Sequence, residues 1–509
     1  EKVDFTNKVV VHTTSCGTQG IVNSINAKEI ITGSLVNISA IVKYIRNRGY
    51  DDISIVTLAK PGSNPFEEDK LCAEYIKAKL ENKSTDEFNA RISNLRYTSG
   101  AKFFDDELQE IYPKEDFYLC TDIDKYDFLL RAEKDKKGYY YMKKILVVDW
   151  LDKYAGSERV INSLHKIFKF DECYTLVNIM CKEDLDKTFN GNIPKINHTL
   201  LNLFGKRFRY FLPLFPYFIK GIKLPQDTKL IISSSHAISK YVTSQGALHI
   251  SYFQARNLKY IWEERNLYFT GIKRIFKFII PYLQKFDIEA SKKPDFIISN
   301  SKFVQSWVKS RYGRDSVVIY PPVDIDSFGL ETKKESYYVS VGRLEPYKRF
   351  DIIVKAFNVL KDKKLIIVGD GSQREYLKNL SNSNIEFVGF LDKIAISNYV
   401  SRAKAFVFMA EEDFGIAPVE AQACGTPVIC LGRGGTKETI VDMQTGVYFY
   451  NQNVHELIDA INKFEINIDK FDPIAIRKNA LKFSKERFEA EIKSYVEKKY
   501  EEFKDGLND

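Results

Sequence analysis

Five short apolar runs recur between residues 338 and 430, each followed by a turn and most by a helical pattern: Tyr338–Val341, Leu365–Val368, Ile385–Val388, Ala405–Met409 and Pro427–Cys430. Runs this short and this continuously apolar suit strands buried on both faces. In series with helices they predict a doubly wound parallel sheet. The pattern also constrains the chemistry. The unusual residues all follow the carboxyl ends of these runs, and in open α/β sheets that edge is where ligands bind.

Gly342-Arg343-Leu344-Glu345-Pro346-Tyr347-Lys348 follows the first run. Arg343 is suited to grip phosphate oxygens bidentately, Lys348 adds a point charge, and Gly342 admits close backbone approach. Gly369-Asp370-Gly371-Ser372 makes a tight turn after the second run, and Gly389 closes the third. After the fourth run, Glu412 and Glu420 stand eight residues apart around Phe414-Gly415. Glu412 falls on a loop, and Glu420 about one and a half turns into a helix that Gly425 and Pro427 end. Two carboxylates there can accept hydrogen bonds from the hydroxyls of a sugar and of a ribose. Alone, either acid reads as a helix-terminus charge or a solvated face. The flanking turns, with Gly432-Arg433-Gly434-Gly435-Thr436 after the fifth run, favour the functional reading.

This set resembles the donor-binding domain of glycosyltransferase family 4, through Gly342-Arg343-Leu344 with Lys348, Gly369-Asp370-Gly371, the Glu412 and Glu420 pair, Ala423 to Pro427, and Gly434-Gly435-Thr436. The resemblance runs from about Lys143 onward. It implies an α/β chain with a GT-B fold, two Rossmann-like domains facing across a cleft that binds a nucleotide sugar. It also implies that Arg343 and Lys348 hold the donor diphosphate, that Glu412 is the catalytic residue and contacts the donor sugar, and that Glu420 holds the ribose hydroxyls. The backbone at Phe414, Gly415 and Ile416, at a helix N-terminus, would take diphosphate charge. Reaction would proceed with retention and without a required metal.

The chain has 509 residues, long enough for about three domains. We expect residues 142–325 to form the acceptor domain and 326–509 the donor domain, with a last helix from about Pro473 to Phe503 crossing the cleft. No apolar run approaches the roughly 20 residues needed to span a bilayer. The seven cysteines are irregularly spaced without a Cys-x-x-Cys, which favours buried thiols in a reducing cytosol. Net charge is +8, and its placement carries more information than its size.

In the middle of the chain, Lys143–Val148 reads as a strand before Asp149 to Arg159, with a helix starting near Ser157. This resembles the family's first loop, with Gly156 keeping the backbone close to the donor phosphates and Ala155 standing where a second glycine is usual. Leu230–Ser235 before His236, His249–Phe253, Phe296–Ser299 and Val317–Tyr320 read as further strands, and Pro321-Pro322 as a hinge. The pieces look most like bacterial O-antigen mannosyltransferases of the WbaZ type. Those carry His-Ser-Pro where this chain has Gln254-Ala255-Arg256. His236 is read as a structural histidine, not as the replacement. Two basic aromatic stretches free of acids, Leu203–Leu224 and Tyr268–Phe286, suit an anionic membrane surface and a lipid-linked glycan. Lys206, Arg207 and Arg209 are the candidate contacts. No nucleic-acid-binding module accompanies the charge.

Residues 1–137 read as a separate α/β unit, joined through the polar Lys134–Gly138 segment before Met142. Val9–His12, Ile30–Asn37 and Ile53–Leu58 are strand-like, and Thr13, Thr14, Gly17 and Thr18 form a loop able to cradle phosphate. Glu68 and Asp69 could hold Mg²⁺ through oxygen ligands. With Gly33-Ser34, Asn37 and Cys72-Ala73, these resemble part of the 2-phosphosulfolactate phosphatase family, which implies a magnesium-dependent site for small phosphate esters. The family's leading loop has no counterpart here, so we expect a partial, inactive module and a chain that is a piece of a longer one. Together the expectations are a retaining hexosyltransferase, GDP-mannose foremost, acting on a lipid-linked glycan at the inner face of a bacterial cytoplasmic membrane. The alternatives are a UDP-sugar transferase of the same fold, or a phosphatase fused to a non-catalytic sugar-nucleotide-binding module.

Overall fold

A computed structural model describes residues 27, 29–50, 52–57, 67–132, 143–226, 228–265 and 277–506. The chain divides into two compact units, residues 1–142 with 498–509, and Lys143–Glu497.

In the smaller unit, β1 (Ile30–Thr32) pairs antiparallel with β2 (Leu130–Ala132), Ile31 opposite Arg131. Helices Ile38–Arg48, Glu67–Leu80, Asp86–Asn94 and Lys114–Thr121 follow β1 in sequence. Ile38, Ile41, Val42 and Ile45 line one face of the first, at helical spacing, and pack with Leu71, Tyr75, Ile76, Phe88 and Ile92. The strand expected at Ile53–Leu58 does not form over its described residues: 53–57 are irregular, and Ile53 and Val56 are 43% and 68% exposed. The Val9–His12 strand, Thr13, Thr14, Gly17, Thr18, Lys134–Gly138 and Met142 lie outside the described residues.

The larger unit holds two parallel sheets. Strands β3 (Lys143–Val148), β4 (Glu172–Thr175), β5 (Lys195–His198), β6 (Thr228–Ser235), β7 (Leu248–Phe253), β8 (Phe296–Ser299) and β9 (Val317–Val318) form the first, in the order β5-β4-β3-β6-β7-β8-β9. Strands β10 (Tyr338–Val341), β11 (Leu365–Val368), β12 (Ile385–Gly389), β13 (Ala405–Phe408), β14 (Val428–Leu431) and β15 (Gly446–Phe449) form the second, in the order β12-β11-β10-β13-β14-β15. Their centres are dry: Ile145 to Val148 and Ala405 to Phe408 are all buried. In each sheet the order reverses at one place, between β3 and β6 and between β10 and β13. Ligands of open α/β sheets bind at such switch points.

In the larger unit three strands were not anticipated. β4 and β5 carry charged and polar residues on the outer side of the first sheet, and β15 opens at Gly446, directly after the turn at Gln444-Thr445. The expected crossing helix is two helices. Pro473–Ala480 ends in a tight turn, Leu481–Phe483, and Lys485–Gly506 starts anew. The break falls at Ser484, whose ψ of 161° is extended, and whose neighbour Phe483 gives its carbonyl to Val323 N at 3.0 Å. That bond takes the carbonyl out of a helical ladder. The second helix packs back on the first sheet's half: Lys166 Nζ is 2.7 Å from Glu489, and Phe488 meets the Tyr252 ring at 5.8 Å.

Candidate active site

The loops at the carboxyl ends of β10 to β14 are held against one another by backbone. A Cβ on Gly371 would fall 2.6 Å from the Leu344 carbonyl oxygen, and one on Gly435 would fall 2.3 Å from Phe414 Cα. Only glycine permits that approach. Gly435 N donates to Glu412 O at 2.8 Å, and Leu344 N to Asp370 O at 3.0 Å. The glycine motifs therefore set the positions of the two loops that carry the charged residues.

Those loops flank the switch point, and their charges meet. Lys348, after β10, forms an ion pair with Glu412, after β13. Arg343 is exposed and donates to Tyr347 Oη at 3.0 Å. Lys348 and Lys259 both lie over the Tyr347 ring, at 5.6 and 5.4 Å. Phe414 is buried, its ring 5.8 Å from Tyr320 and 5.5 Å from Phe483. Its side chain is thus part of the core, and only its backbone is available to a ligand. Gly415 adopts φ +86° and caps the Ile416–Ala423 helix. From the facing half, Gly156 opens the Gly156–Phe168 helix, and a Cβ there would lie 3.0 Å from Ile416 Cδ1. Gly156 and Ile416 accordingly meet where the two halves face each other.

Glu420 has a partner that sequence reasoning did not assign. Arg159 Nη1 sits 2.5 Å from Glu420 Oε1. Burial lowers the Arg159 guanidinium, but the charge and hydrogen bond of Glu420, with Tyr154 and Asp324 adding, together leave it above its ordinary value. The signal was present: a cation in a helix's first turn opposes the helix dipole and needs another reason to be there. Arg256 was also missed. It is 6% exposed, lies 2.6 Å from Asp413 and stacks on the Phe303 ring at 4.6 Å. Gln254, in place of the expected His, donates to Ser234 Oγ at 2.8 Å.

The facing half builds its loops from buried polar groups. Asp149, fully buried, accepts four backbone N–H groups: His236 at 2.7 Å, Ala237 at 2.9 Å, Ile238 at 2.6 Å and Ser239 at 2.7 Å. Glu158 accepts from Ala155 N at 3.0 Å and Ser157 Oγ at 2.9 Å. Burial, opposed by those bonds, pushes its carboxyl up to about 7.

Residues Leu200–Leu214 form tight helical turns interrupted at Gly205 and Phe211. Leu201 and Phe208 point inward, while Leu203, Tyr210 and Tyr217 are 83%, 75% and 75% exposed. Lys206 and Arg207 are exposed on this face. Arg209 is also exposed, and it pairs with Asp152 at 2.6 Å and lies over the Trp150 ring at 5.4 Å. Lys273 and Arg274 of the second basic stretch are outside the described residues, and Phe278 is 78% exposed. No helix among the described residues is long and apolar enough to cross a membrane.

In the smaller unit, Glu68 and Asp69 occupy the first turn of the Glu67–Leu80 helix. Burial, then the Glu68 charge, raises the Asp69 carboxyl above its ordinary value. Two carboxylates suit a hard cation but supply only part of its oxygen shell.

Residues 324–480 match the family described as glycosyl transferases group 1, and residues 1–135 that of 2-phosphosulpholactate phosphatase. A D-inositol 3-phosphate glycosyltransferase of Mycobacteroides abscessus is 28% identical over 33% of this chain and 44% of its own length. The O-antigen chain mannosyltransferase RfbU of Salmonella typhimurium is 26% identical over 36% of this chain and 57% of its own length. The chain thus spans about half the length of these curated relatives. Among solved structures, Anabaena HepE, in complex with UDP and glucose, superposes with a TM-score of 0.54 at 18% identity, over 70% of this chain and 100% of that one. The two facing parallel sheets are a GT-B framework, and the chain carries a glycosyl transferases group 1 domain over residues 324–480.

Proposed function

We propose that this chain is a retaining glycosyltransferase that moves a hexose, mannose from GDP-mannose foremost, to a lipid-linked surface glycan. The observation that carries the reading is the direct pairing of Lys348 with Glu412 from the two strands that flank the donor sheet's switch point. A donor diphosphate offers Lys348 a stronger anion than one carboxylate. Released from it, Glu412 is free to accept hydrogen bonds from the sugar hydroxyls. Arg343 and the amides that open the Ile416–Ala423 helix supply the remaining positive charge, so no metal is required. Arg159 holds the Glu420 carboxylate in place for the ribose hydroxyls. The sugar C1–O bond to the diphosphate breaks as the bond to the acceptor oxygen forms. The mannosyl choice rests on likeness to relatives such as RfbU, and a UDP-sugar donor is the competing reading.

Glu412→Ala should reduce transfer at least 100-fold while nucleotide binding persists; normal turnover would refute the assigned role. Thermal shifts against GDP and UDP separate the donors, because a ligand at 100 times its Kd stabilises by about 2.7 kcal/mol. Stabilisation by UDP alone would overturn GDP-mannose.

The exposed aromatic face with Lys206 and Arg207 would seat the chain on the anionic inner leaflet of the cytoplasmic membrane, near a lipid-linked acceptor. In a flotation assay with anionic vesicles, the Lys206→Ala, Arg207→Ala double variant should bind several-fold less. Undiminished flotation would remove the membrane from this reading. The phosphatase likeness covers residues 1–135, and that part is read as a partial, inactive module in which Glu68 and Asp69 are the residues that would hold Mg²⁺. Magnesium-dependent hydrolysis of phosphosulfolactate by the chain, abolished in Asp69→Asn, would overturn that reading.

A further inference from the structure

We propose that Arg256 is a positioning residue for the transfer: from the facing half it holds the two acids on either side of Glu412, and so sets the loop that carries that carboxylate. This rests on the reading of Glu412 as the catalytic residue and adds the group that aims it.

Residues 411–413 lie between β13 and the Ile416–Ala423 helix. Glu412 is tied to its own half: its side chain pairs with Lys348, and its carbonyl accepts from Gly435 N at 2.8 Å. Its neighbours are tied to the other half. Asp413 Oδ1 accepts from Arg256 Nε at 2.6 Å, and Glu411 Oε1 lies 3.8 Å from Arg256 Nη1. One guanidinium thus reaches residues 411 and 413, while Glu412 between them meets Lys348. A planar fork held at two of its nitrogens fixes direction as well as distance, which a single ammonium contact does not.

The Asp413 contact is nearly dry. The Arg256 and Asp413 side chains are 7% and 9% exposed, so solvent screens the pair far less than a surface one. Burial lowers the guanidinium, but the charge and hydrogen bond of Asp413, with Glu263 and Glu411 adding, leave it above its ordinary value. Arg256 therefore keeps its charge at any working pH.

Arg256 is itself rigidly mounted. In the loop after β7, Gln254 N donates to Ser235 O at 2.8 Å and Leu258 N to His236 O at 3.1 Å. Asn300 Nδ2 donates to Gln254 O at 2.6 Å. Leu258 is buried at φ +51°, a conformation that costs a residue with a side chain and persists where its surroundings over-determine it. The guanidinium stacks on Phe303 at 4.6 Å, and Phe303 N donates to Glu438 Oε1 of the donor half at 2.8 Å. The stacking surface is thus anchored to the same half as the loop it helps to set. Glu412 is held on one side by its own half, and on the other only when the facing half is in place.

The test is steady-state transfer by the full chain from GDP-mannose or UDP-glucose to a polyprenyl-diphosphate-linked glycan, beside nucleotide binding followed by thermal shift. Arg256→Gln should lower kcat about 100-fold, the effect of a misplacement of about 1 Å, with donor KM and nucleotide binding within about threefold. Arg256→Lys, which keeps the charge and loses the fork, should recover part of that loss. Joining Arg256→Gln to Asp413→Asn removes the unmatched buried carboxylate, so the urea midpoint should return toward wild type while kcat stays low. Recovery of both together would mean that Arg256 serves the fold alone, and would overturn the proposal. In a Glu412→Ala background, Arg256→Gln should change the residual rate less than about twofold, because both act through one carboxylate. Three results would overturn the role of Arg256 and leave the transferase reading standing: a rate within about threefold of wild type, a loss matched by lost nucleotide binding, or full additivity with Glu412→Ala. Absence of transfer by the wild-type chain, or normal turnover in Glu412→Ala, would overturn that reading, and this role with it.

Discussion

The two halves of the larger unit fix equivalent loops by different means. In the donor half, the loop after β13 is pinned where Gly435 N meets Glu412 O at 2.8 Å, and the turn after β11 where Gly371 lies against the Leu344 backbone. In the acceptor half, the segment after β6 hangs on one buried carboxylate, Asp149, and Lys240 in the same segment reaches buried Asp287 at 2.7 Å. Glycines pack by lacking a side chain, so each leaves a mark in its own stretch of sequence. Carboxylate clamps join residues as far apart as 90 positions, Asp149 to Ser239, and leave no local mark.

If that contrast is right, the largest effect should come from the clamp. Asp149→Asn presents an NH₂ to two of the four N–H donors it now satisfies. Each buried donor left unmet costs about 1–3 kcal/mol, so a loss of about 3 kcal/mol or more is expected in urea denaturation. A change below about 1 kcal/mol would mean that the segment holds itself without Asp149.

The same contrast accounts for what could be read from the chain beforehand. The donor-half strands, Gly342, Gly371, the Gly434-Gly435 pair and both glutamates lie where the turn chemistry put them, because periodicity and glycine are local signals. Arg159 with Glu420 and Arg256 with Asp413 were not legible as pairs. Their partners lie 261 and 157 residues apart, and only the fold brings them within bonding distance. β4 and β5 were missed for a related reason: they lack the continuous apolar run of the central strands. The helix break at Ser484 depends on a bond to Val323 that no sequence window near 484 contains.

Acid should separate the halves next. His249 is fully buried in β7, its Nε2 2.8 Å from Ser233 Oγ. Burial, with Arg314 adding, holds its imidazole at about 3. The folded value lies below the unfolded one, so this contribution to stability is complete above about pH 6.5 and is lost as pH falls toward 3. The slope is about 1.4 kcal/mol per pH unit, or about 2 kcal/mol between pH 6.5 and 5. Glu158 works in the opposite sense: its folded value is raised to about 7, so its contribution is present below the unfolded value and lost as pH rises through 7. Subtracting the pH profile of His249→Gln from that of wild type isolates the His249 slope. The donor half from 326 onward contains one histidine, His455, and its side chain is 87% exposed. Amide exchange at pH 5 should therefore quicken in β6 and β7 before β10 and β13. The reverse order would break the comparison.

The smallest effect belongs to two neighbours in one donor-half turn. Asp370 accepts from Gly371 N at 2.8 Å and lies 3.2 Å from Arg374, with its side chain 51% exposed. Solvent screens that pair, so Asp370→Ala should cost under about 1 kcal/mol. Gly371→Ala places a methyl 2.6 Å from the Leu344 carbonyl oxygen, and backbone cannot yield as a flexible side chain can. Overpacking of that kind costs about 1–3 kcal/mol. Because Leu344 adjoins Arg343, the displacement should also weaken nucleotide binding, whereas Asp370→Ala should leave it within about twofold, well under the 1.4 kcal/mol of a tenfold change. If the acid proves the costlier loss, the turn is held by its charge, and the donor half resembles the acceptor half more than its glycines suggest.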